Sequence, residues 1–96
     1  MITPTESLIL SLLIARPAGA YGSELVNVSG DKLKRGTVYT LLGRLEDKGL
    51  VKSKEDPPTP ELALPRTSYR ITAQGQRAFR EFGEFTGHLR PALGGV

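Results

Sequence analysis

The chain has 96 residues, 39% hydrophobic and 24% charged, which is the composition of one soluble globular domain. It has no cysteine, and this excludes disulfides, thiolate metal sites and a thiol nucleophile. A net charge of +3 and an isoelectric point near 9.5 are only mildly basic, so the distribution of charge matters more than its total.

Thr3-Pro4-Thr5-Glu6 predicts a helix start. Thr3 caps, Pro4 suits the first helical position and Glu6 closes a capping box. Leu8, Ile9, Leu12 and Leu13 follow as an apolar stripe, and Arg16-Pro17-Ala18-Gly19 stops the helix. The apolar run Leu8–Ile14, broken by Ser11, is too short for a bilayer span and no basic segment precedes it, so a cytoplasmic location without membrane contact is expected. A second short helix is predicted from about Tyr21 to Val28, with Leu25 and Val28 inward and Tyr21 at its start. Ser29-Gly30-Asp31 reads as a turn.

The third helix is predicted from near Lys34 to just before Gly49. At about 100° per residue, Val38, Leu41, Leu42 and Leu45 share one face. Gly36, Thr40, Gly43 and Asp47 share the other, flanked by Tyr39 and Arg44. Two glycines inside one helix cost about 1 kcal/mol each relative to alanine, which is tolerable where something must approach the backbone closely: a DNA groove wall, or another helix. Gly49 is a natural residue to follow a helix end. Leu50-Val51-Lys52-Ser53-Lys54 has strand character, and Thr67-Ser68-Tyr69-Arg70-Ile71 is the returning strand of a hairpin. Between them Glu55–Pro65 carries Pro57, Pro58, Pro60 and Pro65 and reads as an extended loop whose tip holds Glu55, Asp56 and Glu61. Thr72 caps a fourth helix with apolar positions Ala73, Ala78, Phe79, Phe82 and Phe85. The three phenylalanines pack either on the core or on a partner subunit, and the residues from Pro91 to Val96 are expected to fray. A domain this short buries only about 60–65% of its unfolded surface, so support from a second subunit is expected.

From Lys32 to Lys54 there are seven basic residues and two acidic ones, a local excess of five positive charges, while the rest of the chain is net negative. Such a stripe is the footprint of a phosphate-backbone binder. The alternative is a merely solvated helix face.

The order helix, helix, helix, β-hairpin, helix is mostly α with a small β-hairpin: a winged helix-turn-helix followed by a C-terminal helix. Particular residues sharpen this. Arg16-Pro17, Tyr21-Gly22-Ser23-Glu24-Leu25, Gly36-Thr37-Val38-Tyr39, Leu42, Arg44-Leu45-Glu46, Gly49-Leu50-Val51, Tyr69-Arg70-Ile71-Thr72 and Gly75 together resemble the PadR family of transcriptional regulators, over about residues 6–80. The closing Tyr-Arg-Ile-Thr block also occurs in other winged regulators. Relatives usually carry serine where Lys34 stands, as a helix cap, and proline where Arg35 and Thr40 stand. Lysine cannot accept a hydrogen bond from the helix N–H groups, so this helix start loses a cap and gains two cations. The chain is similar to the short subfamily, in which one terminal helix serves dimerisation.

The resemblance implies a homodimeric, sequence-specific DNA-binding regulator, expected to repress. Residues 1–72 would form the DNA-binding domain and residues 73–96 the dimerisation helix. The third helix would enter the major groove. Lys34, Arg35, Thr37 and Arg44 would meet phosphates or base edges, with Thr40 completing that face. Tyr39 would reach a phosphate through its hydroxyl, or else serve as a half-buried helix-face residue. Lys52, Lys54 and Arg66 would be wing contacts, whereas an acidic loop tip would keep the wing's end out of the groove. Phe79, Phe82, Phe85 and Leu89 would pair the subunits. Some relatives bind aromatic effectors at the dimer interface, but no tryptophan is present here to stack a flat ligand, and no ligand is assigned. No cofactor or metal is expected. Catalysis is not expected either: His88 is the only histidine, no nucleophile triad or phosphate-binding glycine loop occurs, and the Glu46-Asp47 pair reads as surface solvation. The rival to DNA binding is a winged helix used for protein interaction.

Overall fold

In the computed structural model, residues 2–30, 32–61 and 63–87 are described, the side chains of 85–87 excepted. The order is α1 (Pro4–Ile14), β1 (Ala20–Tyr21), α2 (Gly22–Val28), α3 (Arg35–Asp47), β2 (Val51–Asp56), β3 (Arg66–Ile71) and α4 (Ala73–Gly87). This is the expected winged helix-turn-helix, mostly α, with one addition. The sheet has three strands in the order β1-β3-β2, all antiparallel, because Ala20 and Tyr21 pair with Tyr69 and Ser68. Two residues have no periodicity of their own, so β1 exists only through its pairing with β3.

α1 starts as expected. The Thr3 hydroxyl accepts the Glu6 N–H at 3.1 Å, and the Glu6 carboxylate accepts the Thr3 N–H at 2.8 Å. Its buried strip is Glu6, Ile9, Leu10 and Leu13 rather than the predicted Leu8, Ile9, Leu12 and Leu13. Leu8 and Leu12 are half-buried at its edges, because α1 is covered by α4 as well as by α3 and β3. In α2, Leu25 is buried as predicted but Val28 is 43% exposed. The helix ends there, and the last turn offers Ser29 inward instead: its hydroxyl donates to the Val26 carbonyl and accepts the Leu33 N–H. Val38, Leu41, Leu42 and Leu45 of α3 are all buried, as their spacing requires. Together with Leu10, Leu13, Leu25 and Val51 they form the centre of the core.

α3 ends in a Schellman motif. The Gly49 N–H donates to the Glu46 carbonyl and the Leu50 N–H to the Leu45 carbonyl, both at 2.9 Å, with Gly49 at φ +77°. The same corner receives the chain returning from the wing. The Thr72 N–H donates to the Leu50 carbonyl at 3.0 Å, and the Thr72 hydroxyl donates to the Gly49 carbonyl at 2.7 Å while accepting the Gly75 N–H at 3.0 Å. Gly75 is pressed onto that carbonyl so closely that a Cβ there would lie 2.0 Å from the Leu50 oxygen. Only glycine allows α4 to begin at this point.

No helix among the described residues is long and apolar enough to cross a membrane.

An ion pair joins the N-terminus of α1 to the C-terminus of α3. Lys48 Nζ lies 3.1 Å from Glu6 Oε2. The Glu6 side chain is 3% exposed and that of Lys48 47%. Burial is the largest influence on the Glu6 carboxyl and pushes its pKa up, but the contacts with Thr3 and Lys48 outweigh it and hold the group below its ordinary 4.5. A carboxyl depressed in the folded state stabilises fully above its unfolded pKa, and that stabilisation fades as the pH falls through the folded value. Thermal melts from pH 7 down to pH 3 are therefore expected to show an acid-side loss that Glu6→Gln removes. The variant is expected to be less stable at pH 7 by about 1–2 kcal/mol, the partial exposure of Lys48 moderating the effect.

Candidate nucleic-acid interface

The outward side of α3 is assembled by burial of the inward one. With Val38, Leu41, Leu42 and Leu45 fixed in the core, Lys34, Arg35, Gly36, Thr37, Thr40, Gly43 and Arg44 all stand in solvent. Lys34, Thr37, Thr40 and Arg44 line a shallow depression of about 530 Å³ along the helix. Lys34 is the N-cap, with extended backbone at φ −84°, ψ 152°, and its side chain makes no capping bond. The end of α3 that carries partial positive charge therefore bears Lys34 and Arg35, a combination that an anion would relieve. Among the described residues nothing lies within 4 Å of a Cβ built at Gly36 or Gly43. Of the two explanations for these glycines, approach by another described helix of this chain is thus removed.

Tyr39 takes the helix-face packing role and keeps part of its surface in solvent. Its ring lies against Gly22, where a Cβ would stand 2.5 Å from Cε1, so it clamps α2 onto α3. The side chain is nonetheless 43% exposed and opens onto a groove of about 650 Å³ between α2, α3 and the wing. Ser23, Arg35, Tyr21, Tyr69 and Arg66 line the same groove. Arg35 and Arg66, far apart in sequence, line one cleft.

The wing is tied to the rest of the fold at two points, one near its base and one farther out. Glu46 accepts the Ser53 N–H at 3.2 Å and the Ser53 hydroxyl, joining α3 to β2. Glu46 stays on the surface as expected, and in addition ties the two elements together. At the far end of the strands the Tyr21 hydroxyl donates to Asp56 Oδ2 at 2.9 Å, and the Arg66 guanidinium lies 3.6 Å over the Tyr21 ring. The Asp56 contact is the main reason that the Tyr21 pKa is raised, with partial burial adding to it. Tyr69 is pushed up chiefly by burial, then by Glu46 and Tyr39.

These contacts overturn the expected acidic loop tip. β2 continues through Glu55 and Asp56, so the connecting segment spans only residues 57–65. Asp56 is a strand residue paired across from Arg66 and engaged by Tyr21. Glu61 alone remains of the three acids placed in that loop.

The candidate residues fall into groups. Lys34, Arg35, Thr37, Thr40 and Arg44 share the α3 surface, and Tyr39 and Arg66 join Arg35 at the groove. Lys52 and Lys54 stand apart, on the face of the sheet turned away from the core. Phe79 and Phe82 are half-buried on α4 against the core. The Phe85 side chain, Leu89 and His88 lie outside the described residues, as do residues 91–96. The structure adds Tyr21 and Ser23 to the groove and Arg70 to the outer face of the sheet. Only Tyr21-Gly22 gave a signal, a glycine beside an aromatic at a helix start.

Residues 9–81 match the family described as "Transcriptional regulator PadR-like family". Among solved structures, the chain resembles a PadR family transcriptional regulator from Eggerthella lenta at 32% identity and a TM-score of 0.73, covering 92% of this chain and 79% of that one. It resembles a PadR family transcription regulator from Clostridium difficile at 25% identity and a TM-score of 0.72, covering 92% and 95%. It shares its fold with the PcaV transcriptional regulator from Streptomyces coelicolor, solved with its natural ligand, at 24% identity and a TM-score of 0.76, covering 96% and 60%. No curated protein matched.

The glycines of this surface make opposite predictions. Gly43→Ala is expected to raise stability by up to about 1 kcal/mol, since the added methyl meets nothing and helix propensity improves. Gly22→Ala is expected to lower it, because the Tyr39 ring must move. Urea titrations of the two variants beside the parent measure both signs.

Proposed function

Because the chain belongs to the PadR-like family of transcriptional regulators, we propose that it is a homodimeric DNA-binding repressor that reads the major groove with α3. One observation supports this above the others: α3 buries its whole apolar strip and leaves a continuous cationic, small-residue surface with no protein partner among the described residues. A side chain at Gly36 or Gly43 would hold a groove wall off the helix backbone. Arg35 and Arg44 present guanidinium forks suited to a guanine edge or a phosphate, and Thr37 and Thr40 suit a phosphate or a thymine methyl. Lys34 and Arg35, at the positive end of the helix, favour a phosphate there. Arg66 and the Tyr39 hydroxyl face the same groove as Arg35, so one strand of the duplex backbone would run between α3 and the wing. The stacking of Arg66 on Tyr21 sets the guanidinium in place before DNA arrives.

Residues 1–72 supply this reading unit and α4 the dimer contact. Phe79 and Phe82 lie only partly in the core, and each borders a groove along α4, one with Ile14 and one with Ile2 and Leu50. A second copy crossing α4 would complete their burial, with Phe85 and Leu89 extending the seam. Residues in these grooves also offer an apolar wall to a small effector at the subunit boundary.

Arg35→Ala and Arg44→Ala are each expected to weaken binding to a duplex from the region upstream of the protein's own gene. Each is also expected to lower the slope of log K against log salt by about 0.9 for every phosphate that the variant no longer neutralises. Fluorescence anisotropy at several salt concentrations measures both, and parent-like values for the two variants would show that this face of α3 does not read DNA. Sedimentation equilibrium is expected to give a dimer for the parent and a shift toward monomer for the double variant Phe79→Ser, Phe82→Ser, while circular dichroism checks that α1–α3 remain folded.

A further inference from the structure

The groove between α2, α3 and the wing holds more than a duplex backbone can use. All three tyrosines of the chain, Tyr21, Tyr39 and Tyr69, line it, together with Arg35 and Arg66. Each tyrosine also has structural work: Tyr39 lies against Gly22, Tyr21 engages Asp56 and Tyr69 packs against the core. None of the three is fully buried. Leu64 lines the same groove and is 71% exposed, more than any other large hydrophobic among the described residues. An aliphatic side chain left in water beside aromatic residues gains from any flat apolar surface laid over it. Duplex DNA offers its phosphates and sugars at such a place and keeps its bases paired and stacked inside, so the rings and Leu64 gain little from it.

The two guanidinium groups are set differently. That of Arg66 is held 3.6 Å over the Tyr21 ring, and its other side is a planar, delocalised surface on which an aromatic base can stack. Arg35 stands exposed and forms no ion pair among the described residues. A guanidinium fork without an acidic partner suits the oxygens of a phosphate. No carboxylate lines the groove among the described residues. Of the acids nearby, Asp56 is engaged by the Tyr21 hydroxyl and Glu46 by Ser53. The hydroxyls of Ser23, Tyr39 and Thr67 belong to the same walls and can bond a sugar. The volume of about 650 Å³ is that of a pocket for a small organic ligand.

We infer that this groove binds a free purine nucleotide, with its phosphate on Arg35 and its base stacked on the Arg66 guanidinium beside Leu64. Base and phosphate are both needed. A phosphate alone leaves the flat surfaces and Leu64 uncovered, and a base alone leaves Arg35 without an anion. A purine offers a larger stacking face than a pyrimidine. The bound nucleotide occupies the path assigned above to one strand of the duplex, so nucleotide and DNA exclude each other, and this consequence rests on the DNA-binding reading. The nucleotide would then act as an effector by direct competition at the reading face, apart from the grooves along α4.

The test is calorimetric titration of the full chain with adenosine monophosphate, beside adenosine, inorganic phosphate and benzoate. The monophosphate is expected to bind with a Kd of about 10 μM to 1 mM. Each of the other three is expected to bind at least about tenfold more weakly, since each lacks the base, the phosphate or both. Because all three tyrosines line the groove, their ring resonances are expected to shift together on binding. Arg66→Lys keeps the charge and removes the flat surface, and Leu64→Ser changes a side chain that is already exposed. Each is expected to weaken nucleotide binding about three- to tenfold. Leu64→Ser is expected to keep the parent's affinity for a duplex from the region upstream of the protein's own gene, and the monophosphate is expected to displace that duplex from the parent. Parent-like nucleotide binding by both variants overturns the inference, and so does benzoate binding as tightly as the monophosphate. A short oligodeoxyadenylate that Leu64→Ser weakens while the monophosphate is unaffected also overturns it and assigns the groove to single strands. Nucleotide and duplex that bind together without loss overturn the exclusion. If the duplex binds and the monophosphate does not, the nucleotide site falls and the DNA-binding reading stands. If the monophosphate binds with the expected losses and no duplex does, that reading falls and the site stands.

Discussion

The chain enters and leaves the wing at the same point, and the Leu50 carbonyl sits at its centre. It accepts the Thr72 N–H, while Gly75 lies directly against it. The Leu50 N–H closes the last turn of α3, and the Thr72 hydroxyl bonds both the carbonyl of Gly49 and the N–H of Gly75. The backbone groups of three elements are thus satisfied within a few residues of one another. A buried polar backbone group left unpaired is costly, so none of these elements can shift without disturbing the others. The direction of α3, the base of the wing and the start of α4 are thereby fixed relative to one another.

From that corner outward, each functional surface is held by a different kind of contact. α3 is set by burial of four aliphatic side chains, which is strong and non-directional. Its rotation is then fixed by more specific contacts: Tyr39 against Gly22 at one end and Lys48 with Glu6 at the other. The wing is steered by polar contacts, Glu46 with Ser53 near its base and Tyr21 with Asp56 farther out. Hydrophobic burial thus provides the platform, and hydrogen bonds and ion pairs orient what stands on it.

The cations follow the same division of labour. Lys34 and Arg35 sit where α3 already carries positive partial charge, and Lys52 and Arg70 face each other across a ladder. Both placements cost the free protein stability. Arg66 is the contrasting case, stacked on Tyr21 and opposite Asp56. A surface that combines restrained and repelling cations is poised for a polyanion, which is consistent with membership of a family of transcriptional regulators.

The features legible in the order of residues alone are local ones. The capping box at Thr3, the buried strip of α3, the glycine stop at Gly49, the cap at Thr72 and the pairing of two strands into a wing all depend on residues within a few positions of one another, or on a period of 3.6 or 2. The absent cap at Lys34 could also be read from the lysine alone. Whatever joins distant segments came instead from packing in three dimensions. Glu6 meets Lys48 across 42 positions and Tyr21 meets Asp56 across 35. β1 exists only because β3 passes beside it, and Val28 turns outward because α2 ends with Ser29 in its place. Glu55 and Asp56 moved from a loop tip into β2, and Arg70 joined Lys52, because strand register is fixed by which pairs can be buried together. Spacing along a chain carries no record of that choice.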